Sequence, residues 1–422
     1  MSSPSKASTL VGICFDHRAG GSRHHVAVAE VIDLAPVTPG GGRVLLPKTA
    51  LTAVAATFLL MGALAAAYGP LLEHLVRRFG ISLPVAGEVF SAHFAGALIG
   101  VFVSMWAMER VSGRMAIWLP LGCLALGCLG VALAPSWPTF LAGVFVVGLG
   151  FGGLDLGLNQ LVAHSEGPRR SAVLNVLNSA FGFGSVAGPI LISRLGEEHM
   201  ALLYGGAAVI AIALIPAAAG IIGRLPVARR TSGSRAGGGG IIAIFIVAFI
   251  FYVGVETGVG GWMTSHLESV GIRSLEAASL TSGFWLAMAV GRVMAALIPD
   301  SVPPPAIVIA GSAIASIALL VALSGRAAPI AYLVTGFAIA PIFPTALVWL
   351  AKLRPGDSRS TSWMFPATMV GGGVIPPAIG IAIAWLGIQW APAVLASVAA
   401  VGLAAFLLAG MRGREYQRSG PI

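Results

Sequence analysis

The chain has 422 residues, of which 57% are hydrophobic and 10% are charged, and its formal net charge is +9. Soluble domains carry roughly 25% charged residues, so this composition, with repeated apolar runs of about 20 residues, excludes a soluble globular protein and indicates a membrane protein. The excess of basic residues does not indicate nucleic-acid binding, because the sequence has no basic patch interleaved with aromatic residues.

Residues 1–48 are polar, contain Gly, Ser and His, and show no periodicity. They are predicted to be a disordered cytoplasmic tail. Cys14, His17, His24 and His25 lie in this segment, but their spacing matches no standard zinc site, so no metal site is predicted.

Twelve apolar runs follow, each long enough to cross a bilayer as a helix. The first six are predicted at about 49–70, 85–108, 115–134, 138–162, 172–193 and 200–223. The second six are predicted at about 241–264, 277–298, 303–323, 328–351, 361–384 and 390–410. Residues 224–240 are basic and rich in Gly and Ser, which indicates a cytoplasmic linker, and 411–422 form a short cytoplasmic tail. The expected fold is an all-α membrane protein with two pseudo-symmetric six-helix bundles, 49–223 and 241–410.

The distribution of charge supports twelve spans with both termini in the cytoplasm. Of the 25 Lys and Arg residues, five fall in the outside loops of this topology, namely Arg77, Arg78, Arg194, Arg273 and Arg326, which leaves 20 on the cytoplasmic side. The two halves also share loop patterns, with "HSEGPRRS" after the fourth span and "RPGDSRS" after the tenth. Repeated halves around a central cavity are typical of secondary transporters.

A loop motif links this layout to a known family. "MERVSGR" (108–114) follows the second span. It resembles the loop between spans two and three of the major facilitator superfamily, with Glu109 and Arg110 as its acid–base pair and Gly113 and Arg114 as its remaining positions. The match is degenerate, because Glu replaces Asp and one residue is inserted. With the six-plus-six layout and the basic linker, the chain resembles this superfamily over nearly all of 49–410. The resemblance implies a monomeric alternating-access transporter in a bacterial-type inner membrane, with no enzymatic activity and no cofactor.

Within the superfamily, the chain is most similar to the fucose permease-like branch of sugar and proton symporters. The similar stretches are "GLDLGLNQLVA" in the fourth span, "YVGVETGVGGWMTSHL" in the seventh and "SGFWLAMAVGR" in the eighth. They imply proton-coupled uptake of a small polar solute, a sugar or a related metabolite. One departure stands against the usual two-carboxylate scheme of that branch, because the first-span stretch 58–72 has no acid before Glu73.

A second resemblance favours a different direction of transport. "GSVAGP" (184–189) in the fifth span is similar to the Gly-x-x-x-Gly-Pro core of proton-driven exporters. A close-packing glycine face with a proline bend explains the same pattern. A proton antiporter that exports a drug or a metabolite therefore remains the alternative function.

Asp155 is the strongest candidate for a proton-coupling residue. It lies in an otherwise apolar stretch, roughly 12 Å inside the fourth span at 1.5 Å per residue. Desolvation disfavours the charged form of a carboxyl group there, so protonation can follow access to water. Asn159 lies one turn on, on the same face, and can bond the carboxyl group or a polar solute. A structural Asp held protonated by its neighbours is the alternative. Gly148, Gly150 and Gly153 spell G-x-G-x-x-G, but helix packing explains them inside an apolar helix.

Other polar residues are predicted to line the solute pathway. Asn175, Asn178, Ser179 and Gly182 follow one helical stripe in the fifth span, which contacts either the solute or a neighbouring helix. Glu256 in the seventh span is the second carboxylate candidate for proton coupling, with a helix-interface role as the alternative. His93 in the second span is a candidate relay or solute-binding group, or a satisfied structural donor.

The remaining candidates are aromatic or basic. Trp262 and Trp285 offer flat faces to a sugar-like ring, although tryptophans near span ends usually lie in the interfacial belt. Arg292, at the cytoplasmic end of the eighth span, is predicted to anchor or pair in a gate rather than to bind the solute. The expected partners are a small solute, protons and lipid, and the sequence does not name the solute.

Overall fold

The computed structural model describes residues 48–108, 110–163, 170–195, 199–217, 239–295, 297–299, 301–354, 360–361 and 363–418. The predicted N-terminal tail and the predicted linker lie almost entirely outside these residues, so their predicted states stay predictions.

The described residues form helices joined by short turns, and none of them is in a strand. The first group is α1 (Lys48–Phe79), α2 (Leu83–Ala86), α3 (Glu88–Met108), α4 (Met115–Ala132), α5 (Trp137–Ala163), α6 (Arg170–Leu195) and α7 (Met200–Ala217). The second group is α8 (Gly239–Ser269), α9 (Ser274–Ala295), α10 (Pro304–Ala322), α11 (Ala328–Ile339), α12 (Ile342–Leu353), α13 (Met364–Leu386) and α14 (Ala391–Arg418). The pairs α2–α3 and α11–α12 each fill one predicted span, so twelve spans are accounted for.

Hydropathy alone identifies nine membrane-spanning helices within the described ranges. The other three are α6, α7 and α9. The helix α9 carries polar side chains, including Arg292, which lower its hydropathy. The helices α6 and α7 are apolar, but their apolar stretches, Ser179–Ile192 and Met200–Pro216, are shorter than 18 residues. These three helices complete the predicted set, and the all-α membrane fold is confirmed.

The two halves use the same packing scheme. In the first half, α1 packs on α6, α3 on α5, and α4 on both α5 and α7. In the second half, α8 packs on α13, α9 on α11, and α10 on both α11 and α14. Each second-half pair corresponds to the first-half pair six spans earlier. The repeated contacts define two pseudo-symmetric six-helix bundles, as predicted.

Glycines allow α1 and α6 to pack backbone against backbone. A Cβ added to Gly62, Gly184 or Gly188 would collide with a main-chain carbonyl of the facing helix. Small residues at such contacts let membrane helices approach closely. Two of these glycines belong to the "GSVAGP" stretch, so close packing accounts for that pattern. In the same way, Gly148 packs on α3 and Gly150 on α4, as expected for packing glycines rather than a nucleotide loop.

We expect Gly184→Ala to destabilise the protein, because the added Cβ would meet the Leu59 carbonyl oxygen. Overpacking of this kind costs about 1–3 kcal/mol. The matched control is Gly205→Ala on α7, where an added Cβ meets nothing within 4 Å. Alanine is the better helix former, so the control should melt at or above the wild-type temperature. Thermal unfolding of the purified protein in detergent measures both, and equal melting of the two variants would contradict the packing argument.

The bundle has two ends, which we name by the residues that lie there. The terminal side is where α1 begins at Lys48 and α14 ends at Arg418. The distal side is the opposite end, where the chain turns at Gly80, Gly271, Gly325 and Gly387. All four of these glycines have φ between +64° and +94°, a conformation that favours glycine. Each one ends a helix in a tight turn at the distal side.

The two bundles meet on the distal side. A Cβ on Gly69 of α1 would collide with the Gly260 carbonyl of α8, so the two backbones touch. Near the distal end of α3, Ser91 Oγ donates a hydrogen bond of 2.8 Å to the Gly373 carbonyl of α13. These contacts hold the distal halves of the bundles together in this structure.

Candidate functional site

One face of α9 points towards the first bundle. Trp285, Ala289 and Arg292 are spaced by four and three residues and therefore lie on one side of α9, where the Trp285 ring also packs beside Gly260 of α8. The Ala289 Cβ lies 3.6 Å from the position that a Cβ on Gly182 of α6 would occupy. We call this stripe of α9 the inter-bundle face. The Trp285 indole N–H on it is buried without a hydrogen-bond partner among the described residues.

Arg292 forms an ion pair with Glu256 of α8. Its Nη2 lies 3.8 Å from Glu256 Oε1, a distance too long for a hydrogen bond. The side chains are 39% and 16% exposed, respectively. The Tyr252 hydroxyl, one turn before Glu256, is near enough to interact electrostatically with both partners. The sequence singled out Glu256 and Arg292 separately, for coupling and for gating, and the structure brings them together.

Asp155 and Asn159 form a bonded pair on α5. Asn159 Nδ2 donates to Asp155 Oδ1 at 3.1 Å and to the Asp155 main-chain carbonyl at 2.7 Å. The Asp155 side chain is half-buried. Phe151, one turn away on the same stripe, contacts the ring of His93 at 4.9 Å and that of Phe181 at 6.2 Å. The stripe therefore faces α3 and α6, inside the first bundle rather than lipid.

Two contacts show which residues of α5, α6 and α9 lie at the same depth. Phe151 of α5 contacts Phe181 of α6, and Gly182 of α6 lies beside Ala289 of α9. About one helical turn further towards the terminal side lie the polar candidates of three helices, namely Asp155 on α5, Ser179 on α6 and Arg292 on α9. Ser179 is exposed and lies three residues before Gly182, so it is on the side of α6 that faces α9. The structure thus brings acid, hydroxyl and guanidinium groups to comparable depth.

His93 is buried and bonded on one side only. Its Nδ1 lies 3.0 Å from the Tyr68 hydroxyl, whereas its Nε2 is buried without a partner among the described residues. The ring also makes edge contacts with the Phe94 and Phe151 rings. The sequence did not single out Tyr68, because nothing in the order of residues indicates which aromatic of α1 faces α3.

Trp262 is fully buried in a packed junction. Its indole N–H donates to the Pro376 carbonyl at 2.8 Å. The ring fills the space beside Gly87 and Gly380, where an added Cβ would lie 3.0 Å and 2.6 Å from it. The sequence analysis proposed that Trp262 stacks on a solute. In the structure its N–H is bonded within the protein and its ring is fully buried.

The loop-motif residues contact their own helix ends. Arg110 donates from Nη1 to the Trp106 carbonyl at 3.0 Å and lies over the Trp106 ring at 4.5 Å. Arg114 lies over the Trp118 ring at 5.6 Å, and Gly113 is buried. Glu109 and the side chains of Asn175 and Asn178 lie outside the described part of the structure, so their predicted roles stay predictions.

A family model described as Major Facilitator Superfamily matches residues 54–355. The chain belongs to the major facilitator superfamily. The resemblance inferred from the loop motif and the repeated halves is therefore confirmed at this level, and the chain is a multi-pass membrane protein.

Named relatives in the superfamily are distant. The chain is 24% identical over 247 residues to a protein TsgA homolog of Citrobacter koseri and 23% identical over 252 residues to protein TsgA of Shigella dysenteriae. Each match covers 56% of this chain and 62% of the relative, so the chain spans less than two thirds of the length of these relatives.

Solved structures of the superfamily share the fold. A variant of the E. coli fucose:proton symporter matches with a TM-score of 0.59 and 18% identity, covering 85% of this chain and 98% of its own. A D-xylose-proton symporter matches at 0.69 and 16%, covering 86% and 96%. A peptide transporter POT variant in complex with sulfate matches at 0.73 and 14%, covering 88% and 95%. At these identities the similarity shows the fold alone.

Proposed function

We propose that the protein is a secondary active transporter of the bacterial inner membrane, with both termini in the cytoplasm. It works by alternating access and couples the uptake of a small polar solute, a sugar or a related metabolite, to protons. The fold and the family support transport rather than enzymatic chemistry. The fucose and xylose symporters among the structural neighbours are, by their names, proton-coupled sugar transporters.

The half-buried Asp155 carboxyl group carries the proposal. It lies inside the first bundle at the depth of Ser179 and Arg292, and its one recorded side-chain partner in the described structure is the amide of Asn159. No cation offsets its charge in that bond, so a change of access between the two sides of the membrane changes its protonation. Each proton that crosses 100 mV contributes about 2.3 kcal/mol, enough to drive accumulation of a solute.

The exporter alternative has less support. It rests on the stretch from Gly184 to Pro189, and Gly184 and Gly188 of that stretch pack on the α1 backbone. Close packing of two helices is equally compatible with uptake and export. The direction of coupling is therefore a second outcome of the experiment below.

A ligand screen followed by transport assays tests the function. Purified protein is heated with a panel of sugars, polyols, amino acids and antibiotics, since a ligand at 100 times its Kd stabilises the folded form by about 2.7 kcal/mol. Stabilising compounds are then offered to proteoliposomes with an imposed proton gradient. We expect accumulation when protons and solute move in the same direction, and its loss with a protonophore. Accumulation only when they move in opposite directions would establish the exporter, and equilibration regardless of the gradient would contradict coupling.

A further inference from the structure

We propose that Arg292 binds an acidic group of the transported solute, so that the solute class is small polar organic acids such as sugar acids. This inference rests on the proposed transport function and narrows its substrate. It starts from a cation on the inter-bundle face of α9, at the depth of the Asp155 carboxyl group.

The position of Arg292 gives access to a solute. Ala289, one turn away on the same face, contacts the first bundle, and Trp285 lies two turns away with an unpartnered indole N–H. Arg292 itself remains 39% exposed between these neighbours and the terminal side.

The contacts of Arg292 leave donors unused. In the described structure its neighbours are Glu256, the Met288 sulfur at 3.5 Å from Nη2, and the Tyr252 hydroxyl, all within the second bundle. A guanidinium carries five N–H donors in a planar fork that matches a carboxylate with two parallel hydrogen bonds. At a separation of 3.8 Å, Glu256 does not accept this pair of hydrogen bonds from Arg292. None of these contacts in the described part of the chain comes from the first bundle, so that side of the fork can bind a carboxylate of the solute.

Charge balance favours an acid over a neutral sugar. The Glu256–Arg292 pair is neutral when both partners are charged. A carboxylate that binds Arg292 adds one negative charge in a low-dielectric region. If Glu256 takes up one proton, the site becomes neutral again, because the guanidinium stays protonated. A neutral sugar would leave the ion pair as it is, and its hydroxyls would accept hydrogen bonds from the guanidinium without the opposite charge and two-oxygen geometry of a carboxylate.

Few other ionisable groups can take that proton. Glu256 has Tyr252 on its own helix and Arg292 on α9 as recorded partners. The adjacent helix α13 has no ionisable side chain, whereas α9 adds Glu276 in its first turn, α12 adds Lys352 in its last turn, and α14 adds those of 412–418. The helix α1 carries Tyr68, which bonds His93, and Glu73 and His74 nearer its distal end, and α11 carries Tyr332, which bonds His266. Asp155 lies at comparable depth but within the first bundle, where it bonds Asn159.

Matched pairs of solutes test this inference on the purified full-length protein. The pairs are D-glucuronate with D-glucose, D-galacturonate with D-galactose, and D-glycerate with glycerol, all at constant ionic strength. We expect at least one acid to raise the melting temperature while its neutral counterpart does not. Arg292→Gln should weaken that binding by about tenfold to a hundredfold, the value of hydrogen bonds to a charged group.

Control variants separate a binding role from loss of charge or fold. Arg326→Gln removes an exposed cation at a distal turn and should bind the acid like the wild type. Arg292→Lys keeps the charge but not the fork, so it should bind the acid more weakly than the wild type even if Arg292→Gln does not fold. In weakly buffered solution the wild type should take up more protons with the acid than Glu256→Gln does.

The outcomes distinguish this inference from the proposed function. If neutral sugars stabilise the protein as much as the acids do, or if Arg292→Lys binds the acid like the wild type, the acidic solute class is overturned while proton-coupled transport stands. If no acid binds better than its neutral partner, the inference also fails. Acid binding that depends on Arg292, without gradient-driven accumulation in proteoliposomes, supports the site and contradicts the proposed coupling.

Discussion

Asp155→Asn is expected to abolish proton-driven accumulation of the solute and to leave solute exchange across the membrane intact. Asn has nearly the same shape as Asp, and its side-chain oxygen can still accept the hydrogen bond from Asn159 that the structure shows. The fold should therefore be preserved. The variant cannot bind and release a proton, so it should carry solute down its own gradient only. Proteoliposome accumulation under a proton gradient and counterflow without one measure the two activities separately.

The control for this variant is Glu88→Gln. Glu88 is an exposed acid at the distal end of α3, where it accepts a hydrogen bond of 3.2 Å from the Trp137 indole. Its loss should leave accumulation close to the wild-type value. Accumulation by Asp155→Asn at the wild-type level would remove the central observation of the proposed function. Loss of both accumulation and exchange would assign Asp155 to solute binding or to the fold instead.

Trp262→Ala is expected to lower the free energy of unfolding by about 3–5 kcal/mol, as large-to-small changes of buried aromatics do. The residue is 0% exposed and fills the junction of α2, α8 and α13. Removing the ring leaves a cavity and an unsatisfied Pro376 carbonyl, and the neighbouring Gly87 and Gly380 have no side chains to fill the space. Thermal or denaturant unfolding in detergent measures the loss.

Two further substitutions identify the cause of that loss. Trp385→Ala removes a ring that is 86% exposed on the surface of the helix bundle and should change the unfolding free energy in detergent little. Trp262→Phe retains an aromatic ring but not the indole donor, so its stability should fall between the wild type and Trp262→Ala. A solute that binds the wild type and Trp262→Phe but does not bind folded Trp262→Ala would instead favour the stacking role that the sequence suggested.

The spans were predictable because lipid offers the backbone no hydrogen bonds, which restricts a chain of this composition to helices of bilayer length. Their ends were less so. The first span was predicted to stop near Pro70, but α1 continues to Phe79. Leu71, Leu72 and Leu75 after the proline are buried in the bundle. A membrane helix tolerates an internal proline where neighbouring groups satisfy the backbone. The tenth span was predicted as one helix, whereas the helix assignment breaks at Ala340 and Pro341.

The site was predictable only along single helices. The Asp155–Asn159 pair follows from a four-residue spacing, which any α-helix converts into a contact. The pairs Glu256–Arg292 and Tyr68–His93 join different helices. Their formation depends on how the helices are rotated against each other, and spacing in the sequence contains no information about rotation. For the same reason the sequence could not tell that Trp262 faces a packed junction.

The contact between Gly69 and Gly260 gives the two bundles a pivot that is free of side chains. Where two helices pack through interdigitated side chains, these side chains must separate before the helices can move, which raises an energy barrier to the motion. Here two bare backbones touch, and the turn on the distal side of Gly69 begins with a proline that offers no amide hydrogen to bind the partner. In the proposed alternating-access cycle, we expect this contact to let one bundle tilt against the other over a low barrier, and a bulky side chain at position 69 to hold the distal ends of the two bundles apart.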